Sequence, residues 1–367
     1  MPSNGKERSM RLFYDQKEHR EMIFKMYQEI FEDPKPFAQY YFDEVYKNNK
    51  VLLAMDQEEL KGMIHLNPYK IQISDESQEL FYIVAVAVKK ECRRQGIMAS
   101  MLKKCLCDIQ GKKQPFTYLM PANRAYYEPF DFVFVMDWKQ CVISGEKSRH
   151  SVGVIEIAKE KDYPKISSYL QECMQEYGIY TVPNIEYLKR AEKESQSSNG
   201  HLMVWKVDEE IKGVFVQGQE ENETFLRLFY AKEPEEMLRQ IKSLYSGREI
   251  EITGGNLTRG NLTPKIMARI TSLKAWEKIL KGKKNFSFRM IVEDPLIKEN
   301  DGMFHFQWNG HKMMITKETK DGDQAERITI GDLTRVFFGY QSQPILEQHP
   351  NLENIVPAGP VYISEEV

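Results

Sequence analysis

The sequence lacks any run of about 18 consecutive apolar residues, the length a membrane-spanning helix needs, so neither a spanning segment nor a membrane partner is expected. Residues 2–11 are polar and charged, without the apolar centre of a secretory leader, and the expected location is cytoplasmic. Cysteine is sparse and odd in number. The five (Cys92, Cys105, Cys107, Cys141 and Cys173) are scattered, which suits free thiols in a reducing compartment. Cys105 and Cys107 stand two apart on an expected helix and face different ways, and the seven histidines show no ligand spacing, so no metal is expected. Charge of one sign is not in excess either. A net charge of −3 gives no overall basic field, no nucleic-acid partner is expected, and the basic run at 281–284 reads as a solvated linker. The glycine-rich stretch from Gly254 to Gly260 lacks the Gly-Lys-Ser/Thr ending of a nucleotide phosphate loop and reads as a turn.

What is present is a soluble globular composition, 41% hydrophobic and 29% charged, in a chain of 367 residues, too long for one ordinary core. Helical patterning covers 19–48 with a break at 33–36, and a hairpin is expected from strands at 51–55 and 60–66. The nearly continuous apolar run 80–88 is a buried strand. Ile97, Met98, Met101, Leu102, Cys105 and Leu106 then fall on one helical face, and short strands follow at 116–120 and 130–136. After a polar linker at 145–150 the layout begins again: strand 154–157, helices 163–177 and 185–194, strands 202–207 and 211–217. This is a weak internal duplication. From 285 the pattern is a small α+β domain, with strands at 286–292 and 303–308 around an Asp301-Gly302 turn and a helix over 328–338. The expected fold class is α/β (α+β), with domains at 1–148, 149–284 and 285–367.

The chemistry concentrates at 83–98, where a strand runs into a short basic loop with one glycine and a helix starts at once. A helix N-terminus offers unpaired N–H groups and partial positive charge, Gly96 lets a phosphate approach the backbone, and Arg93 and Arg94 add side-chain charge. An ordinary strand-to-helix turn with a solvated Arg pair fits the same spacing.

Arg93-Arg94-Gln95-Gly96-Ile97-Met98 resembles the acyl-CoA loop, Q/R-x-x-G-x-G/A, of the GNAT N-acetyltransferase superfamily, with Met98 in place of the usual small residue. Asn123-Arg124-Ala125-Tyr126-Tyr127-Glu128-Pro129-Phe130-Asp131-Phe132 resembles the family's N-x-x-A-x-x-Y-x-x-x-G-F segment, with Asp131 replacing Gly. Phe31-Glu32-Asp33-Pro34, Met267-Ala268-Arg269-Ile270 with Trp276, and Gly302-Met303-Phe304-His305-Phe306 with Phe338-Gly339 are similar to the Eis (enhanced intracellular survival) type. That resemblance implies an active GNAT domain, a degenerate second one, a C-terminal sterol-carrier-protein domain, acetyl-CoA as co-substrate, a homo-hexamer, and an amine acceptor such as an aminoglycoside, polyamine or lysine.

Direct transfer to an amine requires a proton donor for the departing thiolate, and a tyrosine with a pKa of about 10 can serve. By the resemblance this is Tyr127, with Tyr126 as its rival facing the other way. The base implied is the α-carboxylate of Val367, with Glu365 and Glu366 beside it adding negative potential for a cationic amine. Arg93, Arg94, Gln95, Gly96, Ile97, Met98 and Asn123 are the expected CoA-binding residues, and Val86 and Val88 are expected to pair their backbone with the pantetheine arm as a strand adds to a sheet edge. Cys92 precedes the loop and is not expected to take part. The readings set against acetyl transfer are a catalytically dead CoA-binding scaffold and a carrier of hydrophobic ligands.

Overall fold

The computed structural model describes residues 10–147, 152–220, 223–319 and 325–365. Its first unit opens with β1 (Arg11–Tyr14), α1 (Arg20–Ile30) and α2 (Lys35–Tyr40), which passes into a π-helical turn over Tyr41–Val45. α1 forms around Ile23, Met26 and Tyr27, which recur at helical spacing and are buried. Pro34 cannot continue that helix, while Pro36 sits in the first turn of the next, where its missing N–H costs nothing. An antiparallel meander follows: β2 (Lys50–Asp56), β3 (Glu59–Ile73) and β4 (Glu76–Val88). β3 runs well past residue 66 because Tyr69, Ile71 and Ile73 are buried at period two, an alternation that Pro68 disguises in the sequence. α3 (Ile97–Gly111), β5 (Phe116–Leu119) and β6 (Val133–Ser144) complete this part of the chain. Gly62 lets α3 seat close, since a Cβ there would stand 2.8 Å from Met101 Cε and 3.0 Å from Ala87 O.

The same order recurs in β7 (Val154–Ile157), α4 (Tyr163–Cys173), β8 (Ile179–Thr181), α5 (Ile185–Ser197), β9 (His201–Val207), β10 (Glu210–Glu220), β11 (Glu223–Ala231), α6 (Pro234–Leu244), β12 (Glu249–Thr253) and β13 (Asn261–Ile270). β11 pairs with β12 in parallel, as β4 does with β5. β4 and β11 each carry a left-handed non-glycine residue, Ala85 and Leu228, near a break in register. The two halves then exchange a strand. β6, which continues from β5, pairs with β12, and β13, which continues from β12, lies between β5 and β6. Fourteen strands thereby join one sheet among the described residues, and that sheet runs across the boundary expected near residue 148.

The C-terminal part holds β14 (Lys281–Gly282), β15 (Phe286–Glu293), β16 (Gly302–Trp308), β17 (Met313–Lys317), β18 (Arg327–Thr329), α7 (Ile330–Phe338), α8 (Gln343–Gln348), β19 (Ile355–Val356) and β20 (Val361–Tyr362). Its main sheet runs β17-β16-β15-β18. The helix expected from 328 begins at Ile330, because 327–329 pair with β15 and the Thr329 hydroxyl caps the helix by accepting from Asp332 N. No tight turn forms at Asp301-Gly302. Asp294 Oδ1 instead accepts from the N–H groups of Leu296 and Ile297 and organises a longer loop. Trp276, fully buried, joins this domain to β5: its ring lies 6.1 Å from Phe116 and 5.1 Å from Phe337, and its Nε1 donates to Pro115 O. At 150–250 Å² for such a ring, that burial contributes on the order of 4–6 kcal/mol.

Candidate active site

β4 and β5 touch at one ladder pair, Tyr82 with Tyr118, and beyond it β4 has no partner on that side among the described residues. Residues 83–88 thus present a free strand edge inside the sheet. Val84, Val86 and Val88 are half-buried along it and pack against the core, while Ala85 and Ala87 are buried. A bulge interrupts the edge. Met63 faces Ala87 and His65 faces Val84, which leaves Ala85 and Val86 opposite Ile64 alone, with Ala85 at φ +49°. Bulges of this kind leave backbone groups outside the ladder and concentrate beside active sites.

From Val88 the chain makes a 3₁₀ turn at Lys90–Cys92 and reaches the basic loop. Arg93 Nε donates to Val88 O at 3.3 Å and Gln95 Nε2 to Glu91 O at 3.2 Å; Arg93, Arg94 and Gln95 are exposed, with no carboxylate paired to either arginine among the described residues. Gly96 caps α3 with φ +79° and contributes no capping side chain, and the first turn of α3 holds no acid. The N–H groups of Ile97, Met98 and Ala99 therefore face outward without intrahelical acceptors. A Cβ on Gly96 would meet nothing within 4 Å, so space lies open above these donors. Ile97 is buried and Met98 packs half-buried against the core, which takes the bulk of Met98 out of the turn. Open space, unpaired donors and free cations together fit a pyrophosphate.

The second element lies after β5. Asn123 accepts from Ala125 N at 3.0 Å and caps a 3₁₀ turn over Arg124–Tyr126, so its side-chain oxygen shapes the backbone. Tyr126 is 57% exposed and Tyr127 only 9%, which separates the two neighbours as expected. Tyr127 packs edge-on against Phe132, its hydroxyl has no hydrogen-bond partner among the described residues, and burial pushes its pKa up to about 12. The phenol is therefore protonated throughout the neutral range. Asp131 stands at φ +58°, the left-handed conformation for which the family pattern uses Gly and which Asp tolerates better than most residues. Fully buried Arg269 fixes this segment. Its guanidinium donates to Phe130 O at 2.7 Å, Ile270 O at 2.9 Å and Asp294 Oδ1 at 2.5 Å, and lies 4.0 Å from Asp131.

The C-terminal tail closes the picture. β20 pairs in parallel with β8, itself antiparallel to the end of β3. Ile363 O accepts from Trp138 Nε1 at 2.9 Å, Ser364 Oγ meets Tyr187 OH at 2.8 Å, and Glu365 is buried. Glu366 and Val367, the expected substrate-binding residue and base, lie outside the described residues. Sequence reasoning missed Ala85 and Arg269 as site residues, and it placed Glu365 beside the terminal carboxylate without foreseeing its burial. Arg269 left a trace, as the one charge in the buried apolar half of β13, Ile266–Ile270. Among the described residues no group of three or more His, Cys, Asp and Glu could hold a metal, and no helix is long and apolar enough to cross a membrane.

Residues 14–135 match the family model of the acetyltransferase (GNAT) domain, and residues 271–357 match that of the sterol carrier protein domain. A search of curated proteins gives no match. Solved structures of similar fold include a probable N-acyltransferase from Enterococcus faecalis, with a TM-score of 0.77, 16% identity, and 95% of this chain and 94% of that one covered. A GCN5-related N-acetyltransferase from Anabaena variabilis aligns with a TM-score of 0.72 at 14% identity, over 95% and 94% of the two chains. Eis1 from Mycobacterium abscessus aligns with a TM-score of 0.66 at 12% identity, over 96% and 94%.

Proposed function

On the premise that the chain is an acetyltransferase joining a GNAT domain to a C-terminal sterol-carrier-protein domain, an arrangement consistent with the Eis type, we propose that it moves acetyl from acetyl-CoA directly to a primary amine. The observation that carries this reading is the free, bulged edge of β4 leading straight into the open N-terminus of α3. Along that path the pantetheine arm adds to residues 84–88 as a further strand, and Val86 and Val88 offer their backbone groups. The pyrophosphate sits on the N–H groups after Gly96, with Arg93, Arg94 and Gln95 around it and Asn123 at the facing loop. The thioester then comes to rest near Ala85, whose displaced peptide can polarise the carbonyl.

The amine nitrogen attacks that carbonyl, the C–N bond forms and the C–S bond breaks, with no acyl-enzyme. Tyr127 donates to the departing sulfur. Against a reference thiol near ~8.5 the phenol is the weaker acid by roughly three powers of ten, so its proton moves only as the C–S bond breaks. The ammonium proton must leave first, and the C-terminal tail carries its acceptor. Val367, through its α-carboxylate, and Glu366, as a partner for the cationic amine, are proposed by resemblance. The deciding experiment is CoA release, detected as free thiol, with acetyl-CoA and a panel of polyamines, lysine peptides and aminoglycosides. Turnover on any amine supports the reading. Acetyl-CoA binding without turnover on the whole panel favours the CoA-binding scaffold instead.

A further inference from the structure

Several of the buried polar side-chain atoms that lack hydrogen-bond partners among the described residues lie along one face of the sheet. His65, Asn67 and Tyr69 alternate on β3 and so share that face, and their β4 partners are Val84, Tyr82 and Leu80. His65 Nδ1 meets Tyr41 OH at 2.9 Å, and Tyr41 OH donates to Asn67 Oδ1 at 3.2 Å. His65 Nε2, Asn67 Nδ2, Tyr118 OH, Thr181 Oγ1 and both oxygens of Glu365 are buried without a hydrogen bond of good geometry among the described residues. Rings connect them: Tyr118 stacks on Tyr82 at 5.3 Å, and Tyr82 lies edge-on to Tyr69 at 6.1 Å. This seam starts opposite the Ala85 bulge and ends at Glu365, which is 4% exposed. A cavity of about 20 Å³ touches Glu365, enough for a single water. Tyr69, Tyr187 and Arg190 line both this cavity and a groove of about 810 Å³ open to solvent.

We propose that Glu365, in place of the Val367 α-carboxylate to which the resemblance points, is the proton acceptor of the reaction, reached from the acetyl-transfer gap through water held along this polar seam. The proposal rests on the acetyl-transfer reading. The ammonium proton passes through water to the Glu365 carboxylate, the freed amine forms its C–N bond as Tyr127 protonates the thiolate, and Glu365 returns its proton to solvent through the groove. Tyr69 from β3, Tyr118 from β5, Thr181 from β8, Tyr187, Arg190 and Glu194 from α5, and Arg227 from β11 surround the carboxyl. Burial raises Glu365 to about 7 against the pull of Thr181 and Arg190, which suits a base working near neutrality. His65 is no rival, since burial holds it at about 3 and leaves it neutral.

The test compares wild type, Glu365→Gln, Glu365→Asp and a Val367 deletion, with CoA release on the amine panel from pH 5.5 to 9 and acetyl-CoA binding by calorimetry. Glutamine keeps the shape of the protonated acid, so its binding of acetyl-CoA at pH 5.5 and its melting temperature near pH 4, where Glu365 is largely protonated in both folded and unfolded chains, stay at the wild-type values. The expected loss of kcat/KM at pH 7 is about 10²- to 10⁴-fold, the usual worth of a general base. The rate limb near pH 7 disappears, activity climbs with pH as the amine loses its own proton, and aspartate restores part of the rate. A glutamine variant that keeps the wild-type rate and limb overturns the proposal, as does a limb lost only on deleting Val367. Wild type inert toward every amine overturns the acetyl-transfer reading itself, and the proton-acceptor role with it.

Discussion

Replacing Gly96 by Ala separates the fold from the ligand at a single atom. Gly96 is at φ +79°, where an L-residue costs roughly 1–2 kcal/mol, and its Cβ would meet nothing within 4 Å, so no steric penalty adds to the backbone cost. The variant should lose about that much in urea unfolding and remain folded. The empty space is where the pyrophosphate must sit, so the methyl group and the disturbed turn should remove one or more N–H contacts to it. A hydrogen bond to a charged group contributes about 1.5–3 kcal/mol, so the acetyl-CoA Kd should rise about 10- to 100-fold. Calorimetry with acetyl-CoA and with pantetheine, which has no pyrophosphate, gives the readout. The acetyl-CoA Kd should weaken and the pantetheine Kd should not. Weakening of both ligands alike would point to a general distortion, and an unchanged acetyl-CoA Kd would refute the placement of the phosphates.

Tyr127→Phe should lower kcat about 10²- to 10⁴-fold with acetyl-CoA affinity unchanged, and because the buried phenol titrates at about 12, the wild-type profile should show no alkaline loss from this residue up to pH 10. Equal losses in rate and affinity would assign Tyr127 a structural role. Arg269→Ala leaves Asp294 buried without its cation and should cost about 3–5 kcal/mol in urea unfolding, whereas a loss under about 1 kcal/mol would mean that the pair is not holding the Tyr127 segment. For Glu365 the folded pKa of about 7 lies above the unfolded value near 4.3, so the stability it contributes is full below the unfolded value and is lost as pH rises through 7. Glu365→Gln cannot ionise and should gain on wild type between pH 5 and 8 by up to about 3 kcal/mol, read from urea midpoints; parallel pH curves would contradict the burial of a proton at this site.

What could be read from sequence was local. The apolar run of β4, the one-face pattern of α3 and the single glycine between them all lie within 30 residues, and each has its own composition signal. The left-handed turn at Asp131 was visible only as a departure from the family pattern, yet the backbone keeps the geometry that pattern encodes. The bulge at Ala85 left no mark, because alanine gives no hint of positive φ. β13 was unreadable for a different reason. Its apolar half, Ile266–Ile270, is buried by pairing with β5 and β6, more than a hundred residues away, and no periodicity in a strand names its partner. Glu365 reads from sequence as an acid beside the terminal carboxylate, and only the course of β20 along β8 shows that it is buried.

The second half of the chain repeats the framework of the first with the charge reversed at one helix end. It keeps the parallel pair of β11 and β12 and the left-handed residue Leu228, so a gap of the same topology is present. The helix after that gap differs in charge. α6 begins with Pro234, which removes an N–H, and carries Glu235 and Glu236 in its first turn, where the helix dipole already favours them. Glu235 pairs with Arg259 and Glu236 with Arg239, so this N-terminus is occupied by the chain's own carboxylates and repels a phosphate. α3 has the reverse arrangement, with no acid in its first turn and two arginines before it. The second half also supplies parts of the first: β13 fills the sheet between β5 and β6, Arg269 on that strand holds the loop of Tyr127, and β8 guides the tail that carries Glu365. A chain cut between the halves would lose all three, and with them the support of the Tyr127 loop and of Glu365.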